Sequence, residues 1–85
     1  MKTLIEKYEK ALKESDETMQ AFENEPENEE KEKAFDLAYR KEIAAFTELT
    51  NGIVLYTDSK IDAETARCMI KTRFEDLKNL VSMLG

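Results

Sequence analysis

Apolar residues recur at alternating intervals of three and four along most of this 85-residue chain. Such spacing places side chains on one face of an α-helix, whereas a half-buried strand needs strict alternation. Three such stripes predict three amphipathic helices that bury their apolar faces against one another. The stripes are Ile5, Tyr8, Leu12, Ser15, Met19 and Phe22; Phe35, Tyr39, Glu42, Phe46, Leu49, Ile53 and Tyr56; and Ala66, Ile70, Phe74, Leu77, Val81 and Leu84.

The residues between the stripes indicate where each helix begins and ends. Pro26 cannot continue the first helix, because it lacks an N–H and its ring clashes with the preceding turn. Asn28 and Asp62 are good N-caps for the second and third helices. The predicted helices therefore span about residues 2–23, 28–57 and 62–84.

The second predicted helix contains Asn51-Gly52, a pair that often ends a helix. The apolar stripe nevertheless passes through this pair in phase. A stop there would leave the four apolar residues 53–56 in a loop, where they have no reason to be. We therefore expect the helix to continue to about Tyr56, although Gly52 costs it about 1 kcal/mol.

Helices joined by short connections pack antiparallel to their neighbours in the sequence. The sequence thus predicts an all-α fold, an antiparallel three-helix bundle, with one domain over residues 1–85. The expected neighbours are Phe22 with Phe35 and Leu84 at one level, and Tyr8 and Leu12 with Phe46, Leu49 and Phe74 at another.

The chain lacks the side chains that most chemistry requires. It has no histidine, one cysteine and two isolated glycines, so Ser–His and Cys–His catalysis, Cys/His zinc sites and phosphate-binding loops are excluded. The glutamates of residues 23–32 lack the spacing of a calcium loop. We therefore expect no enzyme, no cofactor and no metal site, and we expect Cys68 to be a partly buried structural residue.

Negative charge is concentrated at the first connection. The chain carries −6 in total, and residues 23–33 carry six glutamates against two lysines. Glu27, Glu29 and Glu30 are candidates for an acidic patch that contacts a basic partner surface. The alternative is a solvated turn whose acids stabilise the start of the second helix.

Basic residues on the third predicted helix raise the question of nucleic-acid binding. Arg67, Lys71 and Lys78 fall on one side of it. Glu64 and Glu75 share that side, however, which is typical of a salt-bridged solvent face, and the net charge opposes binding to phosphate. We therefore expect no nucleic-acid partner and keep a DNA-associated regulator as an alternative function.

Nothing in the sequence predicts a membrane segment. No stretch approaches the roughly 18 apolar residues of a span, and charge returns after only two apolar residues at the start of the chain. With a single cysteine in addition, we expect a cytoplasmic protein without membrane contact.

The end of the second predicted helix carries more apolar surface than two neighbours can cover. Ile53, Val54, Leu55 and Tyr56 point in nearly every direction around it. Either the following loop folds over them, or they form a contact surface for another protein or a second copy. We favour the contact surface. The predicted function is a non-enzymatic protein-interaction or regulatory module, with a homodimer as one form.

In size and architecture the chain resembles small acidic helical proteins of phages and mobile elements, and also immunity proteins. This resemblance includes no specific motif and assigns no residue a role. A further alternative function is an acidic mimic protein of a phage or mobile element, in which Glu27, Glu29 and Glu30 would occupy a basic cleft.

Overall fold

The computed structural model describes residues 1–84, and over this range it is all-α. The molecule is elongated, at 46 × 20 × 20 Å. The first two helices form a long antiparallel hairpin, and the last two form a shorter unit at one end of it. The helices are α1 (Lys2–Asn24), α2 (Glu29–Tyr56), α3 (Ala63–Thr72) and α4 (Phe74–Leu84).

The connection at Pro26 confirms the predicted boundary between the first two helices. Asn28 caps α2, since its side-chain oxygen accepts hydrogen bonds from the backbone N–H of Glu30 at 3.0 Å and of Lys31 at 3.3 Å. Acids in the first turn of α2 lie near the positive end of the helix dipole. The local sequence therefore fixes this turn.

α2 continues through Gly52 to Tyr56, as predicted. The structure also gives Gly52 a role that periodicity does not indicate. A Cβ atom at this position would lie 2.5 Å from Cδ1 of Leu4. The missing side chain therefore lets α1 pack closely against α2 at this level.

The prediction of one continuous third helix over residues 62–84 is wrong, because the structure has two helices in this range. Arg73 interrupts it with φ −132° and ψ 38°. α3 packs on α2, and α4 then turns back and packs on α1, so that Val81 and Met1 line the same groove. The molecule thus has four helices over the described residues, where the stripes predict three.

The physical reason for the break is burial at one end of the hairpin. Turning back brings Leu77 and Val81 into the core, with exposures of 4% and 9%. The acids Glu75 and Asp76 fall in the first turn of α4, where the helix dipole favours them. The prediction that Leu84 lies near Phe22 concerns a side chain outside the described part, and α4 itself runs away from that level.

The core lies in what we call the base, residues 1–12 and 45–84. The rest of the hairpin, residues 13–44, is called the arm, and it consists of α1 and α2 alone. Tyr8 packs between Phe46, with ring centroids 5.9 Å apart, and Phe74, at 5.5 Å, which confirms the predicted neighbours. The buried core residues of the base are Ile5, Tyr8, Ala11, Ala45, Leu49, Ile53, Ala66, Ile70, Leu77 and Val81.

Candidate interaction surface on the hairpin arm

The apolar stripes of α1 and α2 extend beyond the part of the hairpin that α3 and α4 cover. In the base, Leu12 and Phe46 pack against the core. One or two helical turns further, Met19, Tyr39 and Ile43 are 37%, 47% and 48% exposed. Residues three, four or seven apart share a helix face, so these side chains continue the face that is covered in the base.

Aromatic contacts hold the far end of the arm together. The rings of Phe22 and Phe35 stack across the hairpin with centroids 6.2 Å apart, which confirms the predicted pairing. Tyr39 packs against Phe35 at 6.1 Å. The two helices of the arm therefore form a continuous surface, and Tyr39 lies on it as a half-exposed aromatic side chain.

Two carboxylates from different helices lie in this surface. The pKa of Glu42 is raised, first because the side chain is partly removed from water and second because the negative charge of Asp16 lies near it. Burial also raises the pKa of Tyr8, with a smaller contribution from the charge of Glu42. Within residues 1–84, no salt bridge involves Glu42 or Asp16.

We name this uncovered face the arm stripe. Sequence periodicity places Glu42 in the apolar pattern of α2, which is the one signal that marks the site. It does not reveal the approach of Asp16, which depends on how α1 packs against α2, or the exposure of the site, which depends on where α4 turns. The arm stripe consists of Asp16, Met19, Phe35, Tyr39, Glu42 and Ile43.

The whole net charge of the chain lies on the arm. Residues 13–44 carry eleven acids and five bases, a net charge of −6, and the rest of the chain carries eight of each. The predicted acidic patch of Glu27, Glu29 and Glu30 is at the tip of the arm, and all three side chains are exposed. Hydrogen bonds from Asn28 and Lys31 lower the pKa of the neighbouring Glu25.

The four residues of the predicted interface at the end of α2 differ in their exposure to solvent. Ile53 is 2% exposed and belongs to the core, so the prediction that it forms part of a contact surface is wrong. Val54 is half-buried, and its carbonyl accepts a hydrogen bond from the backbone of Ser59 at 2.8 Å. Leu55 and Tyr56 are 80% and 54% exposed.

A concavity lies at the base, between α1 and α4. Its volume is about 470 Å³, with Met1, Ile5, Tyr56 and Val81 as its apolar lining. Lys78 reaches across to Glu9 at 3.0 Å and closes one side of it. The lining also contains Ser82, one helical turn from Lys78 on α4. The hydrogen bond to Glu9 raises the pKa of Lys78 and so favours its protonated form.

The basic residues of the predicted third helix do not form one face. The break at Arg73 puts Arg67 and Lys71 on α3 and Lys78 on α4. Lys71 lies over the Phe46 ring, 5.5 Å from its centroid, and Lys78 pairs with Glu9. The prediction of a single basic face, on which the DNA-binding alternative rests, is therefore wrong.

Cys68 is exposed, and the prediction that it is partly buried is wrong. Its sulfur lies 3.9 Å from the Thr72 hydroxyl one turn away.

Across residues 1–84, no three Cys, Asp or Glu side chains are grouped so that they could hold a metal ion. In the same range, no helix combines the length and apolar character that crossing a membrane requires.

The uncovered arm stripe and the charge of the arm are thus the features of this chain that bear most directly on function. Comparison with protein-family models, curated proteins and solved structures finds no match.

Proposed function

We propose that this chain is a non-enzymatic protein-interaction module and that the arm stripe is its contact surface. The observation that carries the proposal is the continuity of one face. The face of the α1–α2 hairpin that is partly buried against the core at Leu12 and Phe46 is more open to water at Met19 and Ile43. A face of this kind is a position for a further helix.

The energetics favour covering this face. Full burial of an aromatic or aliphatic side chain contributes about 1.5–3 kcal/mol relative to full exposure. The surfaces of Tyr39 and Ile43 are each nearly half exposed to water in the free chain. A partner that removes the remaining surface from water therefore gains a substantial contribution from these two residues.

The residue content of the chain supports a binding role over a catalytic one. The chain has no histidine and one cysteine, and the arm stripe offers carboxylates and apolar side chains. Aromatic side chains such as Tyr39 are enriched in interface cores, with charged groups at the rim. This composition suits recognition of another protein surface.

Site-specific crosslinking in the native host tests the proposal. The photoreactive amino acid p-benzoylphenylalanine is placed at position 43 in the arm stripe. The matched control carries it at position 37, because Leu37 is an exposed apolar side chain of the same arm that lies beside Glu14 and Lys41 on a different face.

We expect a discrete product at position 43 that is absent at position 37. The crosslinked protein is identified by mass spectrometry, purified and shown to bind the purified chain. Identical products at both positions, or no product at position 43, would contradict an interaction role for the arm stripe.

Self-association through the base is a second candidate, and the exposure of Leu55 favours it. A leucine that is 80% exposed at a helix end offers an apolar contact to a second copy. Light scattering at micromolar concentration measures the mass, and Leu55→Glu is expected to dissociate the dimer while Leu37→Glu does not. A monomer at all concentrations rejects this candidate.

A further inference from the structure

We infer that the partner of the arm stripe is a basic amphipathic α-helix, which lies along the arm in the position of a third helix. This inference rests on the proposed function and adds the chemistry and shape of the partner. It follows from the direction of α3, the length of the open face and the charges in it.

The position of the third helix is already set in the base. α3 packs on α2, and its last turn brings Lys71 over Phe46. α3 therefore runs from the end of α2 back toward the arm, but it stops near Phe46 because the chain turns back at Arg73. A helix bound there would continue the packing that α3 begins.

The open face has the length of a short helix. From Leu12, which packs against the core, to Phe22 at the far end is ten residues of α1. At about 1.5 Å per residue this distance is about 15 Å, or nearly three helical turns. A partner helix of about 10–14 residues would cover Met19, Tyr39 and Ile43 together.

The charges on the arm select a basic partner. Glu42 and Asp16 lie near each other in the arm stripe, and no salt bridge of the described residues involves either of them. Lys71 of α3 already provides an example of a cation on this face, 5.5 Å from the Phe46 centroid. A lysine or arginine one to two turns further along would meet Tyr39 and the two carboxylates.

A second copy of this chain fits the face less well. Two arms, each with a net charge of −6, would bring Asp16 and Glu42 of both copies into one interface. Like charges that face each other across an interface suppress association. The chain's own α4 is also a poor occupant, because straightening would remove Leu77 and Val81 from the core of the base.

A stapled synthetic helix of about 14 residues, with leucines on one face and arginines beside them, is the probe. Its matched control has the same leucines and glutamates in place of the arginines. Binding to the full chain is measured by fluorescence anisotropy at low and high salt. We expect the arginine helix to bind, the glutamate helix to bind at least about tenfold more weakly, and affinity to fall as salt rises.

Variants then assign the binding to the arm stripe. Tyr39→Ser with Ile43→Ser is expected to weaken binding at least about tenfold, because the apolar contact is lost. Leu37→Ser removes a similar apolar surface from the same arm and is expected to leave binding unchanged. Glu42→Gln is expected to weaken binding of the arginine helix several-fold. Circular dichroism confirms that each variant is folded.

Three outcomes overturn the inference. If Leu37→Ser weakened binding as much as the double variant at Tyr39 and Ile43 does, the arginine helix would be binding the acidic arm without a defined site. Failure of the arginine helix to bind, alongside a specific crosslink at position 43, would mean that the proposed function is right and the partner class wrong. A short dipolar distance between spin labels at positions 43 and 79, in a Cys68→Ser background, would mean that α4 itself covers the stripe.

Discussion

Cδ1 of Leu4 occupies the space that a side chain at Gly52 would need, since a Cβ atom there would lie only 2.5 Å away. A glycine inside a helix costs about 1 kcal/mol relative to alanine. Here the cost is offset by close packing between α1 and α2. Both residues lie in the base, where they help to hold the two long helices together.

The first prediction is that the effect of Gly52→Ala depends on Leu4. Alone, the substitution is expected to gain little, because the higher helix propensity is offset by displacement of the Leu4 side chain. In a Leu4→Ala background it is expected to stabilise by about 1 kcal/mol. Urea unfolding of the four members of the cycle measures this difference. Equal effects of Gly52→Ala in both backgrounds would show that the contact carries no energy.

The second prediction concerns Glu42, whose pKa is raised in the folded chain by partial burial and by the charge of Asp16. The folded state holds this proton more tightly than the unfolded state does. The carboxylate therefore destabilises the fold at neutral pH, and the penalty disappears as pH falls below the unfolded value of about 4.5.

Glu42→Gln is accordingly expected to be more stable than the parent at pH 7, by a fraction of a kcal/mol, and to lose that advantage toward pH 4. Thermal unfolding across this pH range measures the difference. Glu48→Gln is the control on the same helix, because it removes a carboxylate that pairs with Lys7 at 2.8 Å and should destabilise the fold slightly. Loss of stability at pH 7 with Glu42→Gln would contradict the burial argument.

Local signals in the sequence were sufficient for the first two helices. Pro26 and Asn28 define the connection through backbone chemistry that acts within a few residues, and the stripe through Gly52 shows that α2 continues. The same local logic fails at Arg73, because the apolar stripe stays in phase from Ala66 to Val81 across the break. Only the competition between covering the base and covering the arm decides that turn, and this competition involves residues far apart in sequence.

The candidate site was predictable in its residues but not in its exposure. The stripes predict that Met19, Tyr39 and Glu42 belong to a buried face. A continuous third helix would have covered that face. Because α4 turns back, the same residues become a surface. The interface predicted at 53–56 fails at Ile53 for the complementary reason, since the fold covers that side of α2 with other helices.

The third prediction compares two half-buried phenylalanines, one in the base and one in the arm. Phe74 packs edge-on against Tyr8 at 5.5 Å and lies against the core. Phe35 contacts only its partners Phe22 and Tyr39 among the described aromatic pairs. Phe74→Ala is expected to cost about 2 kcal/mol or more, and Phe35→Ala about 1 kcal/mol. Guanidinium unfolding checks the order, which similar losses would contradict.

The fourth prediction is that the arm opens more readily than the base. Two helices alone bury Ala38 and Ser15 in the arm, whereas four helices enclose Leu49 and Ile53 in the base. Regions with fewer buried apolar contacts open locally at lower free energy than the global unfolding. Amide hydrogens of residues 33–40 are therefore expected to exchange at least about tenfold faster than those of residues 48–54, a difference of about 1.4 kcal/mol in opening free energy.

Native-state hydrogen exchange measures both regions in one experiment. The arginine-bearing probe helix provides the matched perturbation: if it docks on the arm stripe, protection should rise in residues 33–40 and stay unchanged in residues 48–54. Addition of the glutamate-bearing helix should change neither. Uniform exchange along α2 in the free chain would mean that the hairpin unfolds as one cooperative unit, and the arm would then have no separate local stability for a partner to increase.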